Sequence, residues 1–151
     1  MAQVSLTGND TISFAGTVLT AFPDGDSAEL TFPNDLTTVR AGKNGNTIYA
    51  LNAAGTLCQL VLRVLRGSAD HKMLAADLAA YLQSVPSYIL HKAKIVKNIG
   101  DGQGNITADI YNLAGLAPTK IPPTTSNVSG DEAQTIAVFT YMGVIVGETL
   151  A

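Results

Sequence analysis

The sequence predicts a mainly β domain, a small sandwich or barrel of roughly six to nine strands with one flanking helix. Three observations carry that reading. Apolar and polar side chains alternate with a two-residue period along much of the chain. Clusters of glycine and asparagine punctuate the alternating runs. One stretch, residues 68–84, switches to helical spacing. At 151 residues the chain has the size of a single domain, 1–151, able to bury a real core, and no fixed-period repeat divides it.

The elements follow in order. "QVSLTG", "TISFAG" and "TVLTAF" read as short strands. "AELTFP" sets Leu30 and Phe32 on one face with Glu29 and Thr31 on the other. "RAGKNGNTIYAL" contains Gly-Lys, but a phosphate-binding loop needs G-x-x-x-x-G-K-[ST] opening a helix. Here Asn44 follows Lys43 and a strand-like run comes next. Asn-Gly between two such runs is a hairpin signal, because these residues tolerate positive φ. The tip spans about residues 40–47. "TLCQLVLRVLR" is the clearest strand, with Cys58, Leu60, Leu62 and Val64 on one face and a mixed face of Leu57, Gln59, Val61, Arg63 and Leu65.

"SADHKMLAADLAAYLQ" opens with Ser68, a good N-cap, and Asp70 lies in its first turn, where negative charge is favoured. Leu74, Leu78 and Leu82 define the apolar stripe with Tyr81 beside them, and Asp77 is read as lying off it. "AKIVKN" and "NITADIYNLAG" are strands joined by the turn "NIGDGQG". Residues 116–134, with three prolines and many small polar residues, read as a long surface loop or arm. "TIAVFTYMGVIVG" is apolar on both faces, which suits a central strand buried twice.

Chemistry finds little foothold. Cys58, the one cysteine, lies in an apolar run and reads as a small core residue. His71 and His91 stand apart, with no cluster of metal-ligand spacing. Asp101, Gln103, Asn105 and Asp109 only loosely echo a calcium loop, lacking its glycine and closing glutamate. The glycines at 100, 102 and 104 do not form a dinucleotide fingerprint, and no nucleophile elbow is present. The expectation is therefore no catalytic residue, no metal and no cofactor. No basic-then-apolar leader stands at the N-terminus, and no apolar run approaches the ~20 residues of a membrane span, so the expected compartment is a cytoplasm.

Charge is scarce and segregated. Charged residues make up 14% of the chain, against a usual share of about 25%. Residues 1–35 hold five acids and no lysine or arginine. Residues 36–97 hold eight bases against two acids, and residues 98–151 one lysine against five acids. Such blocks either form complementary patches for self-association or mix once the chain folds. The net charge of −3 excludes a generally basic nucleic-acid binder.

Two long segments, "LTFPNDLTTVRAGKNGNTIYALN" and "CQLVLRVLRGSADHKML", precede a Gly/Asn turn and a long apolar last strand. In this order they resemble the tail tube proteins of long-tailed bacteriophages, particularly myophages with contractile tails. The similarity rests on "FPNDL", "GKNGN.IYA" and "RGSAD", with His71 where the family pattern has an acid. It covers most of the chain, is firmest over residues 28–75 and is weakest over 116–134. The resemblance implies a β-sandwich or half-barrel with a flanking helix, assembled as a hexameric ring. The rings stack into a tube whose continuous inner barrel is formed by strands of neighbouring subunits. It implies that Arg40, Gly42, Lys43, Asn44, Gly45 and Asn46 contact the next ring. Implied partners are further copies of the chain and the tail sheath, baseplate, tape measure and tail terminator proteins. Genomic DNA passes through the lumen without specific binding. The implied location is the virion tail, assembled in the bacterial host cytoplasm. Related tubes of R-type bacteriocins or type VI secretion are the near alternative. A small ligand-binding β-sandwich is the alternative from another class, and the absence of tryptophan counts against it.

Overall fold

The computed structural model describes residues 4–8, 10–23, 27–124 and 135–150. Among these residues the strands are β1 Thr11–Phe14, β2 Thr17–Val18, β3 Ala28–Thr31, β4 Thr37–Ala41, β5 Thr47–Leu51, β6 Leu57–Leu65, β7 His91–Gly100, β8 Ile106–Lys120 and β9 Ile136–Leu150. A short 3-10 turn, Ala53–Thr56, precedes β6, and one helix, α1 Ala69–Gln83, follows it. Seven strands form one antiparallel sheet in the order β2-β1-β7-β8-β9-β6-β3, and β4 and β5 pair only with each other.

The predicted face of β6 builds the core. Cys58, Leu60, Leu62 and Val64 have no solvent exposure. Register carries the same face across the sheet: Leu60 neighbours Tyr141, Leu62 neighbours Phe139, and Leu30 and Ala28 on β3 neighbour Leu60 and Leu62. Burial pushes the Cys58 thiol pKa up, in keeping with a core role.

The sheet is strongly curled. Phe14 on β1 and Tyr141 on β9 have ring centroids 4.6 Å apart, although β7 and β8 lie between their strands. In a flat sheet three strand spacings would separate them by about 14 Å. Curling brings one face inward as a half-barrel, and the outer strands β2 and β3 do not meet to close it. The chain leaving β2 bridges part of that gap. Leu65 N–H donates to the Ala21 carbonyl at 3.0 Å, and Arg63 N–H to that of Ser27 at 2.9 Å.

Helix α1 lies against the concave face. The Ser68 hydroxyl accepts the His71 N–H at 3.1 Å, as its capping role predicts. Asp70 does more than complement the helix dipole. It is buried, and its Oδ2 accepts the N–H groups of Thr20 and Ala21, each at 2.8 Å, fastening the helix start to the bridging segment. The inward face differs from the predicted stripe. Leu74 is buried and Leu78 packs on the core, but Leu82 is 62% exposed. Asp77, expected off the stripe, bonds Tyr141 of the core. Each four-residue step runs about 40° past a full turn, so from Leu74 to Leu82 the series rotates out to solvent while Asp77 stays on the inner side.

Three further expectations need revision. The loop predicted over 116–134 begins later, because β8 continues to Lys120 against β9. Pro118 is tolerated there because β7 begins only at His91, opposite Leu116, so no β7 residue pairs with it, and the β8–β9 register shifts on both sides of it. Residues 121–124 have no regular structure, and 125–134 lie outside the described residues. The last strand buries one face over Ala137, Phe139, Tyr141 and Gly143, while on the other only Thr140 is buried with Val138 and Met142 half-buried, and Val144 and Val146 are exposed. Of the short N-terminal strands, "QVSLTG" contributes a single bridge, Leu6 to Gly100.

Candidate functional site

The residues expected to make contacts come together on the β4–β5 hairpin. Its register runs from Thr37 opposite Leu51 to Ala41 opposite Thr47, and every residue of both strands is exposed. Arg40 stands opposite Ile48, one pair before the ladder ends at Ala41 and Thr47. Gly42, Lys43, Asn44, Gly45 and Asn46 form the tip. Gly45 N–H donates to the Gly42 carbonyl at 3.1 Å, and Gly45 has φ 81, the left-handed conformation that glycine adopts without steric cost. The turn is therefore a hairpin tip, as the Asn-Gly signal predicts.

The arm exposes large apolar side chains on both faces, Ile48 being 65% exposed on one of them. Cross-strand alternation puts Val39, Tyr49 and Leu51 on one face, with exposures of 54%, 72% and 78%, and Thr38, Arg40, Ile48 and Ala50 on the other. A two-stranded hairpin is marginal in water by itself, and clustered exposed apolar side chains mark an interaction surface.

The root of the arm is fastened. Asn52 N–H donates to the Leu36 carbonyl at 2.8 Å and Asn52 Nδ2 to the Asp35 carbonyl at 3.0 Å. Asn34 Nδ2 donates to the Ala54 carbonyl at 3.2 Å. Gly55 makes the close approach possible, since a Cβ there would lie 2.4 Å from Leu36 Cα and 2.6 Å from the Asp35 carbonyl oxygen. "FPNDL" and "NAAGT" thus form one clamp that sets how the arm leaves the sheet.

Among the described residues the seven-stranded sheet ends in two edge strands, β3 and β2. At one side β3 has a free edge among the described residues: Arg63 N–H bonds the Ser27 carbonyl, so alternation turns the backbone groups of Glu29 and Thr31 toward β6 and those of Ala28 and Leu30 outward. At the other, the two-residue strand β2 pairs with Ser13 and Phe14 of β1, and the Leu19 N–H that follows donates to the Ile12 carbonyl at 2.9 Å, which leaves β2 itself at the edge. An unpaired row of N–H and C=O groups is a template for a further strand.

A polar network missed in the sequence ties α1 to the sheet. Asp77 Oδ2 accepts the Tyr88 hydroxyl at 2.7 Å and the Tyr141 hydroxyl at 3.2 Å, and Oδ1 meets His91 Nε2. Burial, reinforced by the Asp77 carboxylate, pushes both tyrosine hydroxyls well above their usual range. The signal was helical spacing: Asp70, Leu74, Asp77 and Tyr81 recur on one face. His71, the other histidine, accepts the Gly67 N–H on Nδ1 at 2.9 Å.

Where β7, β8 and β9 run on past β6, Lys97 neighbours Asp109 and Tyr111 neighbours Glu148. Burial, then hydrogen bonding to Glu148, raises the Asp109 carboxyl pKa above its ordinary value. The hydrogen bond to Glu148, then burial, pushes the Tyr111 hydroxyl up to about 12. Lys97 also pairs with Asp10 at 3.2 Å, half exposed and so of small energetic weight. The sequence Asp101–Asn105 forms the expected turn. Asp101 accepts from Gln103 N–H at 2.7 Å and from Asn105 Nδ2 at 2.8 Å, which lowers its carboxyl pKa.

Among the described residues no group of three or more His, Cys, Asp or Glu side chains is placed to hold a metal ion. No described helix is long and apolar enough to cross a membrane.

No protein-family model matches the chain, and no curated protein does. Solved structures share its fold. One is a chain of the sheath–tube complex of an extracellular contractile injection system, PVC, seen by cryo-EM in the extended state. It aligns with a TM-score of 0.55 and 13% identity over 94% of this chain and 87% of that one. A chain of the sheath/tube terminator structure of the same system aligns with a TM-score of 0.50 and 16% identity, over 94% of this chain and 92% of the other.

Proposed function

We propose that this chain is a tube subunit, a structural protein that assembles with itself into stacked rings enclosing a channel. The observation that carries this reading is the conjunction of a fully exposed, apolar-bearing arm clamped at its root with open edges on a curled sheet, in a fold shared with chains of sheath–tube and tube-terminator structures. Each feature is a liability in a monomer and useful in a filament. Open edges invite a neighbour's strand, and in a ring that strand extends one subunit's sheet into the next as a continuous inner barrel. An arm projecting beyond the sheet meets the following ring, a heterologous contact that repeats without closing.

In the finer reading, the rings are hexameric and belong to a bacteriophage tail assembled in the host cytoplasm. DNA passes through the lumen without specific binding, and sheath, terminator, baseplate and tape measure proteins are the partners. The six tip residues, Arg40, Gly42, Lys43, Asn44, Gly45 and Asn46, make the inter-ring contact. The subunit needs no catalysis for this role. A second reading, favoured by the likeness to the PVC chains, is the same tube in an extracellular contractile injection system.

Sedimentation velocity over a concentration series tests the assembly. The expected result is a ring species of six times the 15.7 kDa subunit mass, giving way to larger species as concentration rises. A single 15.7 kDa species throughout would argue instead for a monomeric binding module.

A further inference from the structure

Strand β7 carries opposite charges at its two ends. Lys92 and Lys94 stand at its start, and at Gly100 it runs into the turn that holds Asp101. Between Lys92 and Asp101 lie about 30 Å of extended chain, so the two cannot meet within one copy. They can meet between two copies placed end to end along the strand. The direction of the turn is fixed, because both strands that it joins belong to the seven-stranded sheet. The last β8–β9 pair is Asp109 with Leu150. Beyond it the pairs Asn98–Ala108, Ile99–Thr107 and Gly100–Ile106 carry the β7–β8 hairpin past the end of β9.

The charges at both ends are unspent. Asp101 is exposed, and its bonds come from neutral groups of its own turn: Gln103 N–H at 2.7 Å, Asn105 N–H at 3.2 Å and Asn105 Nδ2 at 2.8 Å. Those bonds hold the carboxyl pKa below its ordinary value and keep the group ionised. Among the described residues no cation pairs with it. At the other end Lys92 and Lys94 alternate with the buried Ala93, so both face away from the core, and both are exposed. No described acid pairs with either.

The two lysines border an open hollow of about 480 Å³, walled also by Ser13, Asn112, Ala114 and Val146. Ser13 and Asn112 are the cross-strand neighbours of Lys94, and their hydroxyl and amide groups can bond the Gln103 amide of an incoming tip. Val146 in the hollow and Ile106 beside the tip, each 71% exposed, supply apolar contact on both sides. The surroundings follow the same signs among the described residues. Asp10, Asp101, Asp109 and Glu148 outnumber Lys97 where β7 stops, and Lys120 joins Lys92 and Lys94 where it starts. Asp70 and Asp77, near that end, are bonded within the chain. Asp24, Asp26, Asp131 and Glu132 lie outside the described residues.

We infer that the Asp101–Asn105 turn of one copy seats in the Lys92–Lys94 hollow of a second copy, an end-to-end contact held by opposite charges. A projection at one end and a hollow at the other make the contact heterologous, so it repeats from copy to copy. The inference rests on the tube reading and names a stacking contact separate from the β4–β5 hairpin.

Charge reversal tests it in the full chain, with the concentration needed for assembly read by sedimentation velocity. Lys92→Glu with Lys94→Glu makes the hollow acidic. Asp101→Asn with Gln103→Lys makes the tip cationic and keeps a side-chain oxygen for the N–H groups of the turn. Either pair alone should raise the threshold about tenfold or more, because like charges then face each other, while the melting of the monomer stays that of the parent. All four substitutions in one chain restore opposite signs and should bring the threshold back to within about threefold of the parent. An unchanged threshold in either pair, or a fourfold variant no better than the pairs, overturns the contact and leaves tube assembly standing. A parent chain that stays monomeric at every concentration overturns the tube reading and the contact with it.

Discussion

Gly55→Ala should release the hairpin without unfolding the core. The added methyl carbon would sit 2.4 Å from Leu36 Cα, 2.6 Å from the Asp35 carbonyl oxygen and 2.8 Å from the Asp35 carbonyl carbon. Non-bonded carbons settle at about 3.5–4.0 Å, so the two backbones must part by more than an ångström. All the close atoms are backbone, and no side-chain rotation relieves the clash. Parting them strains the clamp, in which Asn52 N–H bonds the Leu36 carbonyl at 2.8 Å and Asn52 Nδ2 bonds the Asp35 carbonyl at 3.0 Å. Overpacking of this kind costs about 1–3 kcal/mol. At about 2 kcal/mol the open state of the arm becomes roughly 30-fold more populated. The β4 and β5 ladder is separate from the seven-stranded sheet, so the penalty should fall on the arm. Hydrogen exchange reads this directly. Amides of residues 37–51 should exchange about 30-fold faster, while those of β6 and β9 keep their protection. Unchanged exchange in the arm would show that the root does not hold it. Equal loss in β6 and β9 would show that arm and core are one cooperative unit.

Other substitutions separate core, clamp, charge and contact. Leu62→Asp puts a charge among Phe139 and Ala28 with no water to solvate it, and should abolish cooperative thermal unfolding; a soluble, sharply melting variant would contradict the assigned core face. Asp70→Ala leaves the Thr20 and Ala21 N–H groups without their acceptor and should cost about 2 kcal/mol, or roughly 4–8 °C in Tm; an unchanged melting curve would refute the clamp. Folding raises the Asp109 carboxyl pKa above its ordinary 3.8, so the folded state takes up the proton more readily and stability rises as pH falls from neutral through the folded value, levelling off below 3.8. Asp109→Asn should be more stable than the parent near neutrality and lose that acid-side gain, whereas parallel Tm–pH profiles would contradict it. Lys43→Glu with Asn44→Asp should leave monomer melting unchanged and stop filament growth, and wild-type filament yield would remove the tip from the contact.

The elements that were legible in sequence are those with a local cause. The β6 face from Cys58 to Val64 follows from period-two alternation, the start of α1 from Ser68, and the hairpin from Asn44-Gly45. The elements that were not legible depend on distant partners. Pro118 lies in a strand because β9 is long enough to hold β8 beyond the point where β7 begins at His91, and no local residue states that length. Asp77 lies inward because Tyr88, His91 and Tyr141 arrive from three other segments to satisfy it. The six tip residues could be grouped from sequence, since a hairpin brings neighbours together. The glycine at 55 carried no recognisable pattern; its role exists only through the close backbone of Asp35 and Leu36.

Negative-stain electron microscopy of the purified chain across a concentration series, with light scattering on the same samples, tests the assembly most directly. The account predicts rings at low concentration and hollow tubes of one diameter at high concentration, with scattering that rises as the tubes lengthen. Isolated particles of subunit size at every concentration, with flat scattering, would contradict it.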